Sequence, residues 1–509
     1  MPDESTGVKT AKNSIIYVAG QLIGSAASLA AIVVFARLLM PGGFGIYSVV
    51  VAFYTLLALI GGFAIGATVR KKLPEKKGDE KYRFMASAYT IALTVSLAVA
   101  FIGVMASGYL AANIYHQQIA QLIIIASVLV VFWMLFNLTT SVLVAHGKVV
   151  EATIMDFVYS FGFLGFGTLF ILAGYGVLGA IAGLAMGIIA GAIVGIYYMP
   201  EKRKIIGHRP SAKDGKEIIG FAAPVFASNM AQRGLNSFGV LFLALYVSTV
   251  VVGNYSVAYQ IGSFVVVIVT AFTFVLLPAF SEMLLNDSSK AKAAMDRSLH
   301  MAAIFLAPLV AFVAAESRPI IQALFSHTYT YAPLYTSIII VGSATGILWN
   351  FANTLMLGSG DRKRFIKYQI IAIAIEVGAI LILTPLYHAI GIIVGLFVIS
   401  QIAIDIVYIY AVREKFGFVI GVKKPLKVVV AAAALFLILF AERGLIASGK
   451  ASILVGAAET VIFYPALLAF AGGVSYSDVA FIDKAFGRAR NAPVIKQVLD
   501  YAGSFVRQR

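Results

Sequence analysis

Arg233 is a guanidinium set near the middle of an apolar run from 217 to 246. With Ser228, Asn229, Gln232 and Asn236 it forms a stripe whose members succeed one another at three- and four-residue steps, which puts them on one side of a helix. A second polar row, Asn13, Tyr17, Gln21, Ser25 and Ser28, runs along the apolar stretch from 13 to 39. A charge at such depth is expensive and functional by default, and polar groups are costly against hydrocarbon. Both rows are therefore expected to line an interior substrate path through Gln21, Ser25, Asn229, Gln232, Arg233 and Asn236. The competing assignment is hydrogen bonding between helices with no ligand. Glu376 and Asp405 are the deepest acids of their own runs, as counter-ions for Arg233 or as ion-coupling groups. Arg37 and Arg318 sit toward the ends of runs, where a guanidinium snorkels or caps helix carbonyls.

This is the chemistry of holding a ligand, not of breaking bonds. No paired carboxylates, nucleophile triad or metal-ligand spacing occurs in the sequence. There is no cysteine, which removes thiolate sites and disulfides, and the six histidines are scattered. Residues Gly444 to Lys450, GLIASGK, approach a phosphate loop, but Ala451 replaces the hydroxyl residue that would hold magnesium and no strand precedes it. No metal and no cofactor is expected.

The elements that position these side chains follow from composition. Hydrophobic residues make up 61% of the 509 and charged residues 12%, with a mean hydropathy of +0.93. A soluble average is roughly 45–50% apolar and about 25% charged, so lipid is the solvent for most of this chain. Fourteen apolar runs succeed one another, at 13–39, 46–69, 84–108, 116–144, 152–173, 176–199, 217–246, 252–283, 299–325, 332–357, 366–386, 389–411, 426–441 and 452–472. Most reach the ~20 residues that a crossing helix needs. The expected fold is all-α, a polytopic membrane protein of about 14 transmembrane helices.

The formal charge of +16 invites a nucleic-acid reading, but its placement says otherwise. With a cytoplasmic N-terminus and fourteen crossings, 34 of the 39 Lys and Arg fall on the inner side. Only Arg443 and Lys450 fall in outer loops, as the positive-inside rule requires. The charge is a topology signal, with both termini cytoplasmic and no nucleic acid among the partners. The tail, 474–509, alternates apolar residues with Lys484, Arg488, Arg490 and Lys496 and is expected to lie as amphipathic helix on an anionic inner leaflet.

Short motifs recur at a nearly constant offset. Gly45-Ile46-Tyr47-Ser48-Val49 returns as Gly253-Asn254-Tyr255-Ser256-Val257. Asn137 and Gly147 are matched by Asn350 and Gly360, with the two tryptophans, Trp133 and Trp349, just upstream. The reading is two parallel copies of a six-helix lobe, 1–205 and 206–415, then two extra helices at 416–473 and the tail at 474–509. In parallel-repeat transporters the substrate sits between copies near the midplane.

These motifs carry a resemblance. Ala36-Arg37-Leu38-Leu39-Met40-Pro41 with Phe44-Gly45-Ile46-Tyr47-Ser48 resembles the opening signature of polysaccharide-biosynthesis flippases of the multidrug/oligosaccharidyl-lipid/polysaccharide exporter superfamily. Pro224, the run Gly253 to Tyr259, and Leu277-Pro278-Ala279-Phe280-Ser281-Glu282 look like its second-half signature. The resemblance implies a flippase that moves a polyprenyl- or dolichyl-(di)phosphate-linked oligosaccharide to the outer leaflet of the plasma membrane. Glycan polymerases or transferases would be its partners. It implies that Arg37 is the signature arginine, for phosphate or for structure, and that the two extra helices form a lipid-tail groove, as in related lipid II flippases. Phe238 and Gly239 occupy the region where much of the family has an aspartate. Arg233 with its amides and hydroxyls suits such a head group. The alternative is a cation-coupled multidrug exporter of the same superfamily, for which Glu376 and Asp405 speak. An enzyme acting on lipid-linked sugars would need acids gathered on a sizeable outer loop, and the outer loops are short.

Overall fold

The computed structural model describes residues 4–114, 119–230, 235–286, 288–442, 449–475 and 478. These are helical, with no strand among them. Ten of the helices are long and apolar enough to cross a membrane. Three of them run 40, 50 and 54 residues, and each is broken by a residue with positive φ, respectively Met40, Gly174 and His388. Since ~20 residues cross the hydrocarbon core, each broken run has the length of two passes. The all-helical, polytopic membrane fold expected from composition is what the chain adopts.

The chain forms two compact units, Met1–Gly253 and Asn254–Arg509. In the first, α1 (Glu4–Gly62) is two helices joined at Met40, whose φ of 59° and ψ of 171° precede Pro41. Short α2 (Ile65–Lys72) leads to α3 (Gly78–Tyr109), α4 (Ala120–Ala145), α5 (Val149–Phe170) and α6 (Gly176–Tyr198). Then come α7 (Lys202–Gly207), α8 (Ala212–Asn229), α9 (Leu235–Leu243) and the start of α10 (Thr249–Asn286). Along α6 the glycines 179, 183, 187, 191 and 195 recur every fourth residue. A Cβ at the first three would run into the backbone of α5, a small-residue seam that brings the two helices together.

The second unit continues through α11 (Ser288–Ala315), α12 (Ser317–Leu324), α13 (Ala332–Thr345), α14 (Ile347–Gly358) and α15 (Arg362–Val394). It ends with α16 (Ser400–Phe416), α17 (Lys423–Glu442) and α18 (Gly449–Phe470). Phe351, Leu355, Met356, Tyr408 and Val412 anchor its main core, while Val428, Leu435 and Leu439 of α17 join Tyr464 and Leu468 of α18 in a second.

Backbone conformation repeats where the sequence does. Gly147 (φ 71°) and Gly360 (φ 70°) make the same left-handed turn before α5 and α15. Gly176 (φ 51°, ψ −129°) and His388 (φ 51°, ψ −126°) share a second unusual conformation, which the first copy gives to glycine and the second to histidine. The motif asparagine has a structural role. Asn254 Oδ1 accepts from the N–H groups of Tyr331 and Ala332, 3.0 and 2.9 Å away, at the start of α13. The motif glycines also meet. A Cβ on Gly45 would overlap the Thr249 carbonyl, and one on Gly253 would overlap the Pro41 carbonyl. That contact is reciprocal between equivalent positions, as a local two-fold axis demands.

Candidate functional site

The expected site residues divide between the units. In the first, Ser25 is exposed on α1, and Ser28 Oγ donates to Ser160 Oγ of α5 at 3.4 Å, so part of that row binds helix to helix. Arg37 is exposed one turn before the bend at Met40. Asn229 closes α8, half-buried. Gln21 lies in α1 and Asn236 in α9, and their side chains are outside the described residues. Gln232 and Arg233 lie outside the described residues altogether, as does the tail beyond Asp478.

The two acids of the second unit belong to one arrangement. The helix path breaks at Gly346 between α13 and α14, leaving the first N–H groups of α14 without intrahelical partners. Asp405, from α16, reaches across and accepts the Trp349 N–H at 3.0 Å. One turn earlier on α16, Gln401 donates through Nε2 to Glu376 of α15 at 3.4 Å. A Cβ on Gly346 would lie 2.6 Å from Gln401 Oε1, so a side chain there would push the glutamine amide aside. Gln401 thus stands between Glu376 and the break that Asp405 caps. A π-turn at Gly395–Ile399 immediately precedes this part of α16, a feature frequent at functional sites.

Asp405 also borders a cavity of about 540 Å³ bounded by α11, α13, α14, α16 and α17. Leu306, Val310, Val341, Leu348, Leu426, Val429 and Phe436 are among its walls, and Asp405 is the one charged residue lining it among the described residues. This volume lies within the range of small-molecule sites, roughly 300–1,000 Å³. Small residues, Ala303, Ala307 and Ala314 on α11 and Ala432 and Ala433 on α17, put little side-chain volume into it. Of the two extra helices, α17 supplies a wall, while α18 packs against α17 and α12.

Sequence reasoning missed Gln401, Gly346 and the cavity. A glutamine four residues before an intramembrane aspartate was a usable signal for the first. The other two depend on where α13 breaks and on which helix α17 meets, and neither has a local signature.

Residues 10–284 match the family model described as polysaccharide biosynthesis protein. Among solved structures, the chain is similar to the lipid II flippase MurJ in an inward closed conformation. The identity is 15% and the TM-score 0.73, over 90% of this chain and 98% of that one. It is also similar to a multidrug resistance MATE family transporter of the MOP superfamily. The inward-facing form shares 17% identity at TM-score 0.63, over 79% of this chain and 98% of that one. The outward-facing form shares 16% at TM-score 0.53, over 81% of this chain and 95% of that one. No curated protein matches the sequence.

Proposed function

The chain belongs to the polysaccharide biosynthesis protein family, and on that premise we propose that it is a flippase for a polyprenyl- or dolichyl-(di)phosphate-linked oligosaccharide. It carries the head group from the inner to the outer leaflet of the plasma membrane by alternating access, for assembly of surface glycan. The observation that carries this reading is the cavity walled by α17: long apolar helix faces and a single carboxylate suit a hydrocarbon chain. Each solved structure is matched over nearly its whole length, yet the flippase fold accounts for 90% of this chain and the two transporter conformations for 79% and 81%.

In this reading about fourteen crossings form two lobes, 1–205 and 206–415, with 416–473 added for the lipid and both termini cytoplasmic. Arg233 meets the phosphate, and Gln21, Ser25, Asn229, Gln232 and Asn236 offer hydrogen bonds to the sugars. Outward passage of an anion is helped by a cell-negative potential by ~2.3 kcal/mol per charge per 100 mV, so the process can run without ATP. The protein transports its substrate and leaves the bonds of that substrate intact.

A cation-coupled solute exporter is the second reading, favoured by the fold shared with the multidrug transporter and by Glu376 and Asp405 gathered around Gln401. Reconstitution separates the two. Liposomes containing the protein and a fluorescent polyprenyl-diphosphate oligosaccharide are exposed to a membrane-impermeant glycosidase. Protein-dependent digestion that is lost with Arg233→Ala, and with Ala307→Phe filling the cavity, supports the flippase. Active vesicles that digest none of several such lipids and exchange organic cations instead would replace it with the exporter.

A further inference from the structure

We propose that the corner between α2 and α3 and the first turns of α8 form a releasable ionic clamp, which opens and closes the inner end of α8 in each cycle. The proposal rests on the transport reading above, with residues 70–83 and 202–216 on the cytoplasmic side.

The clamp has two points. Asp214 and Glu217, one turn apart on α8, face the corner together. Arg83 Nε meets Asp214 Oδ2 at 2.9 Å, and Lys76 Nζ meets Glu217 Oε2 at 2.9 Å with Lys72 4.0 Å from its other oxygen. Ser211, just before α8, donates its N–H to Ser87 Oγ of α3 at 2.8 Å. Ile218 adds an apolar detent, fully buried with Phe84 and Met85.

Three features make this contact a switch rather than a fixed joint. First, each lysine that holds α8 has a second acid on its own side. Lys72 lies 3.0 Å from Glu75, and Lys76 lies 3.0 Å from Glu80. When α8 leaves, neither ammonium is left alone, and Arg83, 43% exposed, is hydrated in place. Removing one partner of a fixed buried pair leaves a charge uncompensated; here both arrangements are compensated. Second, apart from Asp214 the charges reach water, so the pairs are individually weak and screened by salt. Third, Pro224 lies inside α8, where its missing N–H deprives the Gly220 carbonyl of its helical partner. The docked turns can therefore swing without unfolding the rest of the helix.

The absence of native cysteine allows clean labelling. Spin labels at Lys77→Cys and Lys213→Cys, exposed positions the clamp does not use, report the gap by pulsed electron resonance in liposomes. Two distance populations are expected, with the longer one enriched by high salt and by Glu217→Lys. Exchanging the charges, Lys76→Glu with Glu217→Lys, should restore the shorter one. A single distance, unmoved by salt and by Glu217→Lys in protein that still elutes as a folded species, would overturn the clamp. This readout needs no substrate, so it stands apart from the identity of the cargo. In the flipping assay, a short thiol-cleavable linker between Lys76→Cys and Glu217→Cys should stop transport, and reductant should restore it. Unchanged flipping by the linked protein also overturns the clamp, whereas failure of the reduced protein to flip any lipid counts against the transport reading.

Discussion

The reciprocal contact of Gly45 and Gly253 makes a quantitative prediction. A Cβ at Gly45 would overlap the Thr249 carbonyl oxygen and lie 2.6 Å from its carbon, and each Cβ would lie 3.1 Å from the other glycine's nitrogen. Ordinary contacts begin at 3.4 Å, and the obstacle is backbone, which has no rotamer to yield. The helices must therefore separate by about 1 Å, and overpacking of this kind costs about 3 kcal/mol, the upper end of its usual range. Alanine returns about 1 kcal/mol as the better helix former. Each single variant, Gly45→Ala or Gly253→Ala, is thus expected to lose about 2 kcal/mol. One separation relieves both clashes, so the double variant should lose only about 1 kcal/mol, far less than the sum of the singles. Equilibrium unfolding by titration of a denaturing detergent against a mild one, followed by fluorescence of Trp133 and Trp349, measures all four proteins. Singles that cost nothing, or a double that equals their sum within about 0.5 kcal/mol, would refute the reasoning.

Three other outcomes are expected. His388 holds a backbone conformation that its counterpart Gly176 provides freely; His388→Gly should gain roughly 0.5–2 kcal/mol in the same titration, strain relief less glycine's added unfolded-state entropy. A loss would refute it. Asp405→Asn keeps an acceptor for the Trp349 N–H and should leave stability nearly unchanged, while Asp405→Leu orphans that N–H and should cost about 1–3 kcal/mol. Equal effects from the two would remove the capping role. Asp361 is held below the ordinary aspartate pKa by the hydrogen bond from Lys415 and by the Arg364 N–H. Its contribution is then full above the unfolded value near 3.8 and lost as pH falls through the lower folded value. Asp361→Asn should flatten the stability profile in that acid window and leave its slope above pH 5 alone.

Much of the architecture was legible because lipid restricts the choices. Apolar length gave 176–199 and the helix spans Gly176–Tyr198; it gave 426–441 and the helix spans Lys423–Glu442. The joints were less legible. Residues 40–45 read as a loop, yet the two helices of α1 meet at the single non-helical residue Met40, with Pro41 to Gly45 already helical. The narrow gap between 386 and 389 likewise became a turn at His388. At the site, Asp405 was visible as a deep acid, but its role as a cap requires the break at Gly346. Gln401 was passed over because a single amide in an apolar run carries little signal unless its four-residue spacing to Asp405 is read with it.

The placement of α8 joins these threads. By sequence it opens the second copy, after position 205; by contacts it belongs to a unit that ends at Gly253. The two divisions describe different things, descent in one case and present packing in the other. What fixes the packing is chemically specific: Arg83 on Asp214, Lys76 on Glu217, and Ile218 in the core beneath. The lysine tie is partly hydrated and has an alternative partner, Glu80, one turn away, as Lys72 beside it has Glu75. An attachment made this way costs little to exchange, whereas the glycine seam between α5 and α6, closed by backbone contact, does not come apart without opening the core. If the copies move during transport, the polar row that begins with Ser228 and Asn229 at the end of α8 starts on the helix with the most exchangeable footing, where a head group bound at that row is able to bias the clamp.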